Sequence, residues 1–203
     1  MFSSAFRSGN SASNVWRMDA SGGNLKQITT GSDDQPAMCS PDGKWLIYAS
    51  YDGGKFLAKK VSVDGGASTK VSEALLTCGC VNISPDGKNI AFQTQPVTGG
   101  PVVIRILDFD TLQPVKEIPR DPRGGGEIRY TLDGKTIGYP IRENGLYALW
   151  VSPVDGSEGH RVTEFESDFI PDFHWSADNK TLGLIRAHND SDVVLLRQTT
   201  ASR

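Results

Sequence analysis

Three histidines, His160, His174 and His188, are the side chains that could act as bases or metal ligands near neutral pH. None has a second histidine at a metal-ligand spacing. His174 stands two residues after Asp172. That pairing suits a structural hydrogen bond first and a ligand contact second, so His174 is the one candidate of the three. Three cysteines are present, Cys39, Cys78 and Cys80. Cys78-Gly79-Cys80 leaves one residue between the thiols, not the two of a redox or zinc C-x-x-C, so all three read as small buried or half-buried thiols at strand starts. There is no G-x-S-x-G elbow, no G-x-x-x-x-G-K phosphate loop, no H-E-x-x-H, and neither H-R-D nor D-F-G. Gly124-Gly125-Gly126 runs into Glu127 rather than a lysine and reads as a turn. No catalytic residue, metal ligand set or cofactor site is assigned.

The elements that would position such residues are set by a repeat. Ser40-Pro41-Asp42-Gly43-Lys44 returns as Ser84-Pro85-Asp86-Gly87-Lys88, as Thr131-Leu132-Asp133-Gly134-Lys135 and as Ser176-Ala177-Asp178-Asn179-Lys180, at offsets of 44, 47 and 45 residues. A second anchor follows at Asp64-Gly65-Gly66, Asp110-Thr111 and Asp155-Gly156, with an earlier copy at Asp19–Gly23. Proline presets φ, Asp bonds its own backbone and Gly takes the left-handed conformation, which is hairpin-turn chemistry. Second and fourth after each lysine come Leu46 and Tyr48, Ile90 and Phe92, Ile137 and Tyr139, Leu182 and Leu184. The positions between them, Ile47, Ala91, Gly138 and Gly183, are small or apolar. Strands apolar on both faces lie between two layers. This predicts second strands near 45–49, 89–93, 136–140 and 181–185, with almost no helix. A four-stranded unit of about 45 residues is one β-propeller blade. The expected fold is all-β, a partial β-propeller of three complete four-stranded blades with a partial blade at each end. The blades are placed at 1–30 (partial), 31–72, 73–118, 119–163 and 164–203 (partial).

The Pro36–Trp45 and Asp168–Ser176 segments, with Ser191–Arg197, resemble the TolB-type, WD-like propeller repeat. The resemblance is closest to the propeller attached to bacterial serine/threonine kinases and winged-helix transcriptional regulators. Leu132, Ala177 and Asn179 depart from the repeat's Pro and Gly, so those turns are expected to be less rigid. The resemblance implies a six-bladed parent, with this chain as its C-terminal part, tethered to an upstream domain. It further implies a non-catalytic binding or sensing module in signalling. Two other readings remain: a periplasmic TolB-like scaffold in envelope transport, and the gating propeller of a prolyl-oligopeptidase-type hydrolase. An extracytoplasmic location is suggested by the resemblance alone.

Charge narrows the partners. With 21 Lys and Arg against 24 Asp and Glu, the net charge is −3, which disfavours a broad basic face for nucleic acid. No apolar run approaches the ~20 residues of a membrane helix. In a propeller the short turns share one face and the variable loops the other. Charged residues cluster in equivalent loops: Asp33-Asp34, then Arg120 with Asp121 and Arg123, then Glu164, Glu166 and Asp168. The expected partner is a protein or small ligand on this loop face, met by Asp33, Asp34, Arg120, Arg123 and Asp168, with His174 nearby.

Overall fold

The turns of Asp42, Asp86 and Asp133 close their hairpins through the same four bonds. In the first, Gly43 N donates to Ser40 O, Lys44 N and the Ser40 hydroxyl donate to Asp42 Oδ1, and Trp45 N donates to Ser40 Oγ. The hydroxyl thus works with the carboxylate: one oxygen caps the turn and the other anchors the strand that leaves it. The Ser84 and Thr131 turns repeat the pattern. In the Ser176 turn the hydroxyl and carboxylate bonds recur. Gly43, Gly87 and Gly134 hold φ near +70° (72°, 74° and 69°), where a side chain would be strained. Leu132 in place of proline leaves the bonding of its turn unchanged.

The computed structural model describes residues 2–4, 13–35, 37–95, 99–163, 169–176, 178 and 180–188. Among them there is no helix, and every sheet is antiparallel. The first sheet holds β1 (Phe2–Ser4), β2 (Asn14–Arg17) and β3 (Lys26–Gln27). The second holds β4 (Asp33–Asp34), β5 (Met38–Cys39), β6 (Trp45–Asp52), β7 (Lys55–Ser62) and β8 (Thr69–Lys70); β4 and β5 both pair with β6. The third runs β9 (Leu76–Ile83), β10 (Asn89–Thr94), β11 (Val103–Asp108), β12 (Pro114–Pro119). The fourth runs β13 (Arg129–Tyr130), β14 (Thr136–Glu143), β15 (Leu146–Pro153), β16 (His160–Arg161). The last pairs β17 (Phe173–Trp175) with β18 (Leu182–Leu184). The strands that leave the anchor turns, β6, β10, β14 and β18, fall where the alternation predicts them. The Ser191–Arg197 segment, which carries part of the resemblance to the repeat, lies outside the described residues.

The sheets stack face to face. Leu46, Tyr48 and Val61 of the second sheet pack on Val15 and Ile28 of the first. Ile47 and Ala49, on the opposite face of the same strand, pack with Ile90, Phe92 and Val81 of the third. Ala91, Ile104 and Ile106 of the third then meet Ile137, Tyr139 and Ile141 of the fourth. A Cβ on Gly138 would stand 3.1 Å from the Phe173 ring of the next sheet. The middle strands are therefore buried on both faces, and burial drives the stack.

Basic side chains couple neighbouring sheets at the outer turns. Arg17 donates to Val63 O at 3.1 Å and to Asp64 at 2.7 Å. Lys60 donates to Phe109 O at 2.8 Å, and Lys116 reaches Asp155 O. The cysteines differ from the expectation of separate buried thiols. Cys39 is exposed, and the Cys78 and Cys80 sulfurs pair as a disulfide across Gly79. They sit where the β9–β10 register shifts between Phe92 and Thr94, a bulge that turns both side chains toward each other.

Candidate functional site

The strands that enter the anchor turns keep one register throughout. Cys39 faces Leu46, Ile83 faces Ile90, Tyr130 faces Ile137 and Trp175 faces Leu182. One residue earlier in each come Met38, Asn82, Arg129 and His174. Because register repeats from sheet to sheet, these eight positions line up, and they surround a cavity of about 160 Å³ together with Pro41, Ser84, Pro85 and Leu132. Four sheets contribute to it.

Its polar wall is built around Asp172. Arg129 donates to Asp172 Oδ1 from Nε at 3.1 Å and from Nη2 at 2.8 Å. Phe173 N donates to the same oxygen at 2.8 Å, and His174 Nε2 lies 3.6 Å from Oδ2. Burial works against the Asp172 charge, but the Arg129 bonds outweigh it and hold the carboxyl below its usual range. Burial pushes the nearby Glu127 carboxyl up, with Arg129 opposing. The His174 side chain is 67% exposed and so is available to a ligand. Cys39, Arg129 and His174 at one cavity offer a thiol, a fixed cation and an imidazole. Among the described residues no hydrogen bond joins the thiol to the imidazole. Sequence reasoning had picked out His174 and its neighbour Asp172. It did not find Arg129 as the residue that orients them, since the pair lies 43 positions apart.

The loop residues fare differently from one another. Asp33 is half-buried on β4 and pairs across to Tyr51 through the backbone. Asp34 is fully buried, a correction to its reading as a partner contact. Its carboxylate accepts from Gly31 N at 2.9 Å, Asn14 Nδ2 at 3.3 Å and Ser50 Oγ at 2.7 Å. A Cβ on Gly31 would fall 2.3 Å from Asp34 Oδ1, so glycine is required for that approach. Asp34 ties the first sheet to the second and does not face solvent. Arg120 is half-buried. Its Nη1 donates to Gln93 Oε1 at 2.6 Å, while its Nε is buried without a partner. Burial lowers the Arg120 pKa, with Tyr139 and Asp121 pulling it back. Gln93 in turn donates to Gly126 O at 2.7 Å. Arg123 is held by Asp121, through Nε and Nη2 at 2.9 Å each, and by Glu143 at 3.0 Å, and its guanidinium lies 5.2 Å from the Trp150 ring centre. Those carboxylates raise its pKa further, Asp121 most. Arg120 and Arg123 thus share one loop, apart from the Asp33–Asp34 end. Asp168 lies outside the described residues.

Sheets of four antiparallel strands, stacked face to face with their entering strands round a common cavity, define a β-propeller. More narrowly, the fold is TolB-like. TolB from Acinetobacter baumannii superposes with a TM-score of 0.73 at 23% identity, over 88% of this chain and 44% of that one. A structure from Agrobacterium tumefaciens described as TolB gives 0.63 at 18% identity, over 83% and 72%. Hydrazine synthase from Kuenenia stuttgartiensis gives 0.62 at 18% identity, over 84% and 49%. The chain thus spans less than half of the Acinetobacter protein. No family model matches the sequence, and no curated protein does either. At these identities the likeness shows the fold alone, and the same fold carries an enzyme in one of the three. Among the described residues no helix is long and apolar enough to cross a membrane.

Proposed function

We propose that this chain is a non-catalytic binding propeller that receives a protein or small ligand at the cavity ringed by its entering strands. One observation carries the reading: four successive sheets bring Met38, Asn82, Arg129 and His174 round a single cavity, with His174 exposed and Arg129 held in place by Asp172. Sites of this kind need a few polar groups fixed by a rigid scaffold. Arg123 and Asp33, and Asp168 by its place in the sequence, remain proposed contacts at the loop ends. The TolB-type repeat supports a role within a larger bacterial signalling or regulatory protein. A second reading, a periplasmic TolB-like scaffold in envelope transport, rests on the resemblance of the repeat.

The test is a ligand screen by thermal shift on the chain and on His174→Ala. A ligand that stabilises the chain should lose about tenfold of its affinity in the variant, the cost of one hydrogen bond whose other partner is left unpaired. His174→Ala should leave the melting temperature of the free protein unchanged. Ligands that bind both proteins equally well would overturn the site. Turnover of a peptidase or phosphatase substrate that vanishes in Cys39→Ser or His174→Ala would overturn the non-catalytic reading.

A further inference from the structure

The repeat allows two grooves on the turn face to be compared residue by residue. The groove between the second and third sheets is a cavity of about 680 Å³ lined by Trp45, Phe109 and the carboxylates Asp42, Asp86 and Asp108. A cation already sits there. Lys60 extends from the second sheet, donates to Phe109 O at 2.8 Å, and holds its ammonium 3.9 Å from the Phe109 ring centre and 4.7 Å from that of Trp45. The groove between the third and fourth sheets is its equivalent, a cavity of about 370 Å³ between Asp86 and Asp133. Strand pairing fixes the correspondence. Lys60 pairs with Ile47, and Ile106 pairs with Ala91, the matching residue one repeat on. Likewise Trp45 pairs with Ser62, and Asn89 with Asp108. So Ile106 stands where Lys60 does, Asn89 where Trp45 does, and Val154 where Phe109 does. Two flanking carboxylates are kept, Asp86 and Asp133 standing where Asp42 and Asp86 do, while Pro153 stands where Asp108 does and the cation is missing.

A second observation points the same way. Tyr130 lines this groove, is 7% exposed, and its hydroxyl is buried without a hydrogen-bond partner. An unpartnered buried hydroxyl is unfavourable, so a polar group supplied from outside would be favoured there. The Asp86 charge acts on that hydroxyl, and together with burial it keeps the phenol neutral. The anchor turns use only Oδ1 of Asp86 and of Asp133. Both carboxyls sit below their usual range. For Asp86 the Ser84 hydroxyl bond is the largest cause, for Asp133 the Lys135 N–H bond. Two charged oxygens and one neutral hydroxyl thus border an inlet walled by Pro85, Leu132 and Val154.

We propose that the groove between the third and fourth sheets binds an alkylammonium group, which takes the place that Lys60 fills one repeat earlier. The ammonium donates to the Tyr130 oxygen and to Asp86, and its aliphatic stem lies along Leu132 and Val154. The group is carried by a lysine side chain of a partner protein or by a free amine. The groove shares Ser84, Pro85, Tyr130 and Leu132 with the cavity ringed by the entering strands, and differs from it in Asp86, Asp133 and Val154, which that cavity does not include.

The experiment is a backbone-amide NMR titration of the whole chain with n-butylammonium, with 1-butanol as the neutral counterpart. A blocked lysine tripeptide forms a third arm, and tighter binding of the peptide than of the amine assigns the source to a partner protein. Saturable shifts are expected at Asp86–Asn89 and Leu132–Lys135 with the cation, absent with butanol, and absent at Asp42–Trp45, where Lys60 already sits. Tyr130→Phe should weaken binding about tenfold or more. Ile106→Lys should abolish it by filling the groove from within. If Ile106→Lys does not fold, Tyr130→Phe alone decides. Shifts that are equal for butanol, equal at Asp42–Trp45, or unchanged in a folded Tyr130→Phe would overturn the proposal.

Discussion

On the turn face, Asp42, Asp86, Asp133 and Asp178 each accept from the hydroxyl two residues before and the amide two residues after. On the loop face no two ends are held alike. Asp34 gathers Gly31, Asn14 and Ser50; Gln93 joins Arg120 to Gly126; Arg123 leans on Asp121, Glu143 and Trp150. The difference teaches how to weigh a repeated residue against a singular one. Repetition marks a requirement of backbone geometry that every unit shares. A singular charge marks either a partner contact or a local solution to closing one loop, and only burial tells these apart. Asp34 is of the second kind, whereas Asp33 beside it stays open to a partner.

The sharpest break of this comparison is Asp34→Ala. Three donors lose their acceptor inside the structure, each at roughly 1–3 kcal/mol if left unpaired. The total should reach about 3–5 kcal/mol, since Gly31 N, Asn14 Nδ2 and Ser50 Oγ all lose the same acceptor. At about 2–4 °C per kcal/mol for a chain of this size, the melting temperature should fall by on the order of 10 °C. Asp33→Ala should barely move it. Equal melting temperatures for the two variants would return Asp34 to the surface contacts.

The turn carboxylates come next. Asp86→Ala and Asp133→Ala should each cost about 1 kcal/mol in chemical denaturation, since these groups are largely exposed and screened. The two losses should match, because Leu132 in place of proline leaves the hydrogen bonds intact. A much smaller loss at Asp133 would show that proline, not the carboxylate, holds these turns. The same groups set an acid limit. Their folded pKa values lie below the unfolded value of about 3.9, so they stabilise the fold above that pH. That stability is lost as pH falls from about 4 through the folded values. Denaturation midpoints should drop over that range in the parent, and less so in the double variant.

The smallest effect on stability should be that of Arg123→Ala. Its ion pairs are exposed, and such pairs contribute little. The melting temperature should stay within experimental error, while any ligand that uses this loop should bind more weakly. A large fall in melting temperature would place Arg123 with Asp34 as a structural charge.

Much of the fold was legible because its causes are local. Turn chemistry over five residues and a period-two alternation are both read along the chain, which is why β6, β10, β14 and β18 fall where expected. The break between β4 and β5, where Gln35 N turns to Ala49 O between the two pairings, was not legible. The candidate cavity was not legible beyond His174 and its neighbour Asp172. Its centre is the Arg129–Asp172 pair, which joins neighbouring sheets.

The sequence by itself determined the repeat, its turns and the two-faced burial of its strands, because each follows from steric and hydrogen-bonding preferences of adjacent residues. Tertiary structure alone decided which charges are structural and which are free. It buried Asp34, closed Cys78 on Cys80, set Lys60 between two rings and left the Tyr130 hydroxyl without a partner. The physical reason is that a charge's role depends on its desolvation and its partners. Lys60 and Phe109, for example, are 49 residues apart in the chain and meet only when one sheet stacks on the next.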